Sequence, residues 1–184
     1  DTTGKSIEAQ TAFLLDGNNP RFHKIGKHTT KTDDKILNPV CQQQYTSNFA
    51  SDSDISQLED SMIKMGYIHL NSILVRLAKG YDDKYIVLEG NRRVYTLKNI
   101  LHKIDIGDLE IGEAEGEVHP EILKTFNNIQ VLAYNGNSDD FTFGLQGISH
   151  LIGTKGWPKY AQAKYLNIKM LDEDLLPSQA GKAF

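Results

Sequence analysis

The 184-residue sequence has one cysteine, Cys41, so it can form no internal disulfide and no multi-cysteine zinc site. That usage fits a reducing, cytoplasmic setting. It lacks any apolar run near the roughly 18 residues that a membrane span needs, and no membrane association is expected. Walker A, G-x-S-x-G and H-E-x-x-H motifs are missing, which removes the commonest signatures of P-loop, serine-hydrolase and zinc-protease chemistry. The histidines (His23, His28, His69, His102, His119 and His150) show no metal-ligand spacing, and each reads as a surface or internally satisfied residue. Excess positive charge is also missing. A net charge of −4 excludes a polycation built to coat nucleic acid. The opening DTTGKSIEAQ has neither an initiator methionine nor a signal-peptide pattern. It reads as a processed or trimmed end outside the fold.

What is present fits a soluble globular chain with a real core: 39% apolar and 24% charged residues. The length suits one domain, or one domain with an appendage. Charge is uneven. Between residues 105 and 121 lie seven acids and no Lys or Arg, while residues 141–171 hold four lysines (Lys155, Lys159, Lys164, Lys169) and no acid. Both stretches read most simply as solvated faces.

A short apolar strand opens residues 11–22 and stops at Asp-Gly-Asn-Asn-Pro, a turn-forming run. Residues 23–51 are polar and aperiodic, which predicts a long loop with one short helix near 37–45. Residues 52–65 carry cap residues and an Ile55, Leu58, Met62, Met65 stripe, hence a helix. Residues 68–77 and 85–88 read as strands around a turn, and a helix follows over 91–102. An acidic loop spans 105–118. A short helix over 119–126 and a strand over 129–134 come next, then two helices over 141–152 and 157–171. The expected fold class is therefore α+β (mixed α/β): a small domain over 11–135 with a mixed sheet, followed by a helical extension over 139–184 that runs toward a further helical region.

One string stands out. In YIVLEGNRRVYTLKNIL, residues 85–101, a buried strand meets a helix at Gly90, and Arg92 and Arg93 fall in the first helical turn. Cations are normally disfavoured there, because the helix start already carries about half a positive charge. A glycine corner with outward amides is an anion site that phosphate commonly fills. Two guanidinium forks would complete it. With Val94 taken as the core direction, Arg92 points nearly away from the core and Arg93 lies on the flank. The competing reading pairs Arg93 with Glu89 and leaves Arg92 in solvent. Glu89 is the one acid near this corner, and it could orient Arg93, hold Mg²⁺ through water or polarise a nucleophile.

NNPRF (18–22), ISQLEDSMIKMGYIHLNSILV (55–75) and YIVLEGNRRVYTLK (85–98), in this order, resemble the N-terminal domain of the ParB/sulfiredoxin superfamily, closest to its ParB-like branch with a GERR or GNRR turn. GISHLIGTKGWPKYAQAKYL (147–166) resembles the stretch that follows in such proteins. The resemblance implies a small ParB/sulfiredoxin-like domain in a bacterial, cytoplasmic protein. It also implies a nucleoside triphosphate ligand, CTP or ATP with Mg²⁺. Gly90, Asn91, Arg92 and Arg93 would contact the phosphates, Asn19, Pro20 and Arg21 would form a second wall, and His150 or Lys155 would close the far side. ParB itself has glutamate where this chain has Asn91, and sulfiredoxin has its catalytic cysteine there, so sulfinic-acid reduction is not expected.

Three functions stay open at this point. The first is a ParB-like nucleotide-binding switch acting with DNA or a protein partner, through regions near or beyond the C-terminus, as a monomer or homodimer. The second is a phosphotransferase, NTPase or nuclease on the same scaffold, with Glu89 as the candidate catalytic residue. The third is a protein-interaction domain that has kept the fold and lost the ligand.

Overall fold

In the computed structural model, residues 2–8, 13–19, 31–50, 53–68 and 72–136 are described. The chain divides into two units, Asp1–Gly17 with Lys31–Gly136, and Asn18–Thr30 with Asn137–Phe184. The expected helices after residue 139 lie outside the described residues. Of the second unit, only Asn18 and Asn19 are described, and Asn19 is buried.

The first unit is a mixed α/β domain. Its elements run β1 (Thr2–Glu8), β2 (Phe13–Leu15), α1 (Asp33–Leu37), α2 (Pro39–Ala50), α3 (Ser53–Met65), β3 (Ile73–Leu77), β4 (Tyr85–Glu89), α4 (Asn91–Asp105), α5 (Pro120–Asn127) and β5 (Asn128–Tyr134). The five strands form one sheet in the order β1-β5-β3-β4-β2. β1 is antiparallel to β5, β5 parallel to β3, β3 antiparallel to β4, and β4 parallel to β2.

Period-two alternation sorts the core. Phe13 and the register pair Leu15 and Val87 point to one face, and the register pair Leu14 and Ile86 points to the other. On that second face Ile86 packs with Ile36 of α1 and Ala78, with Leu14 and Leu37 beside them. α4 packs against β2, β4, α2 and α3, and Val94, Leu97 and Ile100 along it are fully buried. Each such side chain contributes about 1.5–3 kcal/mol of apolar burial. Phe49 of α2 stacks on Tyr95 of α4 with ring centroids 5.2 Å apart. Asn99 and Lys103 of α4 both bond the Glu59 carboxylate of α3. Burial pushes the Tyr95 hydroxyl above its usual pKa, and the Glu59 charge adds to the rise.

Four expectations need correction. The opening residues are not outside the fold: β1 pairs with β5 in register from Thr2↔Tyr134 to Glu8↔Asn128. Its alternation is too weak to read, since Gly4, Lys5 and Ser6 supply no apolar face. Residues 33–50 are not a loop with one short helix but two helices. Asn38 caps the second, its side chain accepting the Val40 amide at 2.9 Å, and Pro39 opens it. The pattern was hidden because few apolar residues, chiefly Ile36, Tyr45 and Phe49, anchor that stretch. The strand expected over 68–77 is described as β3 only from Ile73. The helix 91–102 runs on to Asp105.

Gln42 of α2 performs a task that no local pattern announces. Its side-chain oxygen accepts the Leu15 amide, and its nitrogen donates to the Leu15 carbonyl, both at 2.9 Å. It thereby stands in for a neighbouring strand beside β2, a covering that sheet edges require.

Candidate functional site at the β4–α4 turn

The parallel pairing of β2 and β4 brings their C-terminal ends together. β4 does not run straight to its end. Val75 faces Val87 and Leu74 faces Glu89, so Leu88 is an extra residue and the ladder bulges there. That explains three consecutive buried residues, Ile86, Val87 and Leu88, where alternation alone would expose one. The bulge re-aims the strand immediately before Glu89, which is half-buried, and Gly90.

Gly90 turns the chain into α4. Its φ of +96° and ψ of 16° lie in the left-handed region, which side chains with a Cβ rarely adopt. A Cβ there would stand 3.0 Å from Ile73 Cγ1 and 3.2 Å from an Arg93 terminal nitrogen. The glycine is thus required by conformation and by space, and the Arg93 guanidinium lies folded over the corner. The first amides of α4 have no acceptor within the helix, as at any helix start.

Asn91 is buried at 5% exposure, and its side chain is a double clamp. Its oxygen accepts the Asp16 amide at 3.0 Å, and its nitrogen donates to the Val87 carbonyl at 2.7 Å. It ties the end of β2 to the end of β4. A glutamate or cysteine could not do both jobs, because neither offers a donor and an acceptor in that geometry. The side chain expected to touch phosphate is therefore spent on the scaffold, and the Asn91 backbone amide is the part left for a ligand.

Arg92 is not the solvated residue that the helical wheel suggested. α3 lies along that flank, and an Arg92 terminal nitrogen meets Asp54 Oδ2 at 2.9 Å. The wheel could show only which way the side chain leaves α4, not which helix waits there. Arg93 donates to the Ser72 carbonyl at 3.4 Å, just ahead of β3. It also lies at the Tyr67 hydroxyl. Burial pushes that hydroxyl above its usual pKa, and the Arg93 charge and hydrogen bond act the other way.

The turn thus brings Glu89, Gly90, Asn91, Arg92 and Arg93 together, with Asp54, Tyr67 and Ser72 as companions that no local pattern places there. Asp54 had been readable only as a helix cap. Gly17, which closes the first unit before Asn18, is held by Tyr45: a Cβ on it would meet the Tyr45 hydroxyl oxygen at 2.0 Å. Lys31 sits over the Tyr45 ring, its Nζ 4.6 Å from the centroid. Of the other expected site residues, Asn19 belongs to the second unit, and Arg21, His150 and Lys155 lie outside the described residues. Among the described residues, no group of three or more His, Cys, Asp and Glu is placed to hold a metal ion. No described helix is long and apolar enough to cross a membrane.

No family model matches the chain, and no curated protein matches it. Among solved structures it is similar to the C-terminally truncated chromosome-partitioning protein ParB from Caulobacter crescentus, crystallised with CTP-gamma-S, at 11% identity and a TM-score of 0.43. The alignment covers 95% of this chain and 66% of that one, so this chain spans just under two thirds of its length.

Proposed function

We propose that this chain is a ParB-like nucleotide-binding module that holds the phosphates of CTP or ATP at the β4–α4 turn. The observation that carries the reading is the Gly90 corner itself. A left-handed glycine is packed against Ile73 at the end of a bulged strand, and two arginines follow in the first helical turn. Arginine in that turn works against the helix dipole unless an anion is present. A phosphate would receive the amides of Asn91, Arg92 and Arg93 and the forks of the two guanidiniums. The order of the NNPRF and EGNRR strings along the sequence supports the same reading.

Gly90, Asn91, Arg92 and Arg93 form the core of this assignment, and Asn19, Arg21, His150 and Lys155 extend it by resemblance alone. Mg²⁺ would come with the triphosphate, because this ion keeps several waters and needs few carboxylates. The module acts as a switch with DNA or a protein partner. Its DNA contacts fall on the lysine-rich 155–169 stretch.

A second reading has one observation in its favour. Arg92 is already paired to the protein's own Asp54. A domain that kept the fold for protein contacts and lost the ligand would show such self-pairing. Calorimetric titration of the full chain with CTP, ATP and GTP, each with Mg²⁺, separates the two. Saturable heat with one nucleotide that Arg93→Ala removes is the expected result. No heat with any nucleotide selects the ligand-free domain. Turnover of labelled nucleotide that Glu89→Gln abolishes while binding persists would instead select the enzyme.

A further inference from the structure

The first turn of α3 meets the first turn of α4 through an ion pair. Asp54 is the second residue of α3, and its carboxylate lies 2.9 Å from Arg92. Both side chains are shielded, Arg92 at 17% and Asp54 at 34% exposure. A carboxylate offers a guanidinium the same recognition as a phosphate does: oxygens that accept forked N–H donors. Asp54 therefore presents Arg92 with a built-in substitute for the ligand.

We infer that Asp54 is an internal competitor at the β4–α4 turn, so that an anion gains Arg92 only by displacing the Asp54 carboxylate. This inference rests on the reading given under Proposed function. It follows from charge. Without a counter-ion, two arginines would stand uncompensated beside the positive end of α4. Asp54 relieves that in the unliganded protein, and it also sits in the first turn of α3, where the dipole of its own helix favours a negative charge. Release from Arg92 thus leaves Asp54 in a place that still suits it. The competition selects among ligands. An anion must interact with the turn more strongly than one tethered carboxylate does, which favours polyphosphates over chloride or a single phosphate. A ligand shifts such an exchange only by its differential affinity for the two states.

The test uses the full chain, with Mg²⁺–CTP and inorganic pyrophosphate as separate probes. Asp54→Asn keeps the size and helix-start character of the side chain and removes its charge. Binding tighter by about fivefold or more is expected in this variant, the scale set by removing one unit charge a few ångströms from the ligand. A second measurement needs no variant. Amide exchange over residues 57–60 of the wild-type chain, whose N–H groups bond back to the first turn of α3, should quicken when either probe saturates, because that turn loses its tie to α4. If the wild type binds a probe, Asp54→Asn binds it no tighter and exchange over 57–60 does not rise, the competitor role is overturned and the anion site stands. If neither probe binds either protein, the site falls and the inference with it. Should the variant fail to fold, the exchange measurement on the wild type decides alone.

Discussion

Two arginine sites in this domain are built in opposite ways. Arg76 of β3 meets Asp33 of α1 fork to fork, its two terminal nitrogens donating to the two carboxylate oxygens at 2.6 and 2.7 Å. The Lys79 amide adds a third bond to Asp33 at 2.8 Å. Burial by itself would raise the Asp33 pKa, but the Arg76 bonds, the Lys79 amide and both positive charges outweigh it and hold the carboxyl below its usual range. At the β4–α4 turn the arginines meet a helix start and a backbone carbonyl instead. Arg92 meets Asp54 of α3 at 2.9 Å, and Arg93 donates to the Ser72 carbonyl at 3.4 Å. The first arrangement fastens a helix to a sheet. The second gathers two guanidiniums at a glycine corner, where Arg92 meets a helix flank and Arg93 reaches the residue ahead of β3.

The contrast can be broken by mutation. Asp33→Ala is expected to cost about 2–3 kcal/mol in urea unfolding, somewhat less than a fully buried pair, because it strands Arg76 and the Lys79 amide. A loss under about 0.5 kcal/mol would show that the fork is ornamental. Gly90→Ala should cost about 2 kcal/mol, from the left-handed backbone and the approach of Ile73. It should also disturb the position of Arg93, which a circular-dichroism melt paired with a ligand titration would register.

The acid limb of stability separates the sites again. Because the folded pKa of Asp33 is depressed, its contribution is fully present above the unfolded value near 3.8 and is lost as pH falls through the folded value. Asp33→Asn should flatten that limb in urea titrations run between neutral and acid pH. An unchanged slope would mean that the fork does not survive in solution. The smallest effect on stability is expected at the β4–α4 turn. Arg93→Ala should change unfolding stability by no more than about 1 kcal/mol, while abolishing nucleotide binding.

Much of the fold could be read from the sequence because it is written in local periods. The stripe Ile55, Leu58, Met62 and the run 85–89 specify α3 and β4 without help from their neighbours. The two helices over 33–50 could not be read this way, since Gln42, Thr46 and Ser47 carry polar side chains whose roles depend on tertiary partners or local backbone. β1 escaped for a related reason: an edge strand is specified by β5, not by its own pattern. At the site, the glycine corner and the two arginines were legible from spacing. The clamp role of Asn91 and the Asp54 contact were not, because both depend on which segments lie beside α4. Spacing along one helix carries no record of the packing between two.

The most direct test of the anion corner is a ¹H–¹⁵N spectrum of the full chain titrated with CTP and Mg²⁺. The nucleotide reading requires the largest, saturable shifts at the amides of Gly90, Asn91, Arg92 and Arg93, and their loss in Arg93→Ala. No shifts at these four amides at millimolar nucleotide, or saturable shifts confined to a surface away from α4, would contradict it.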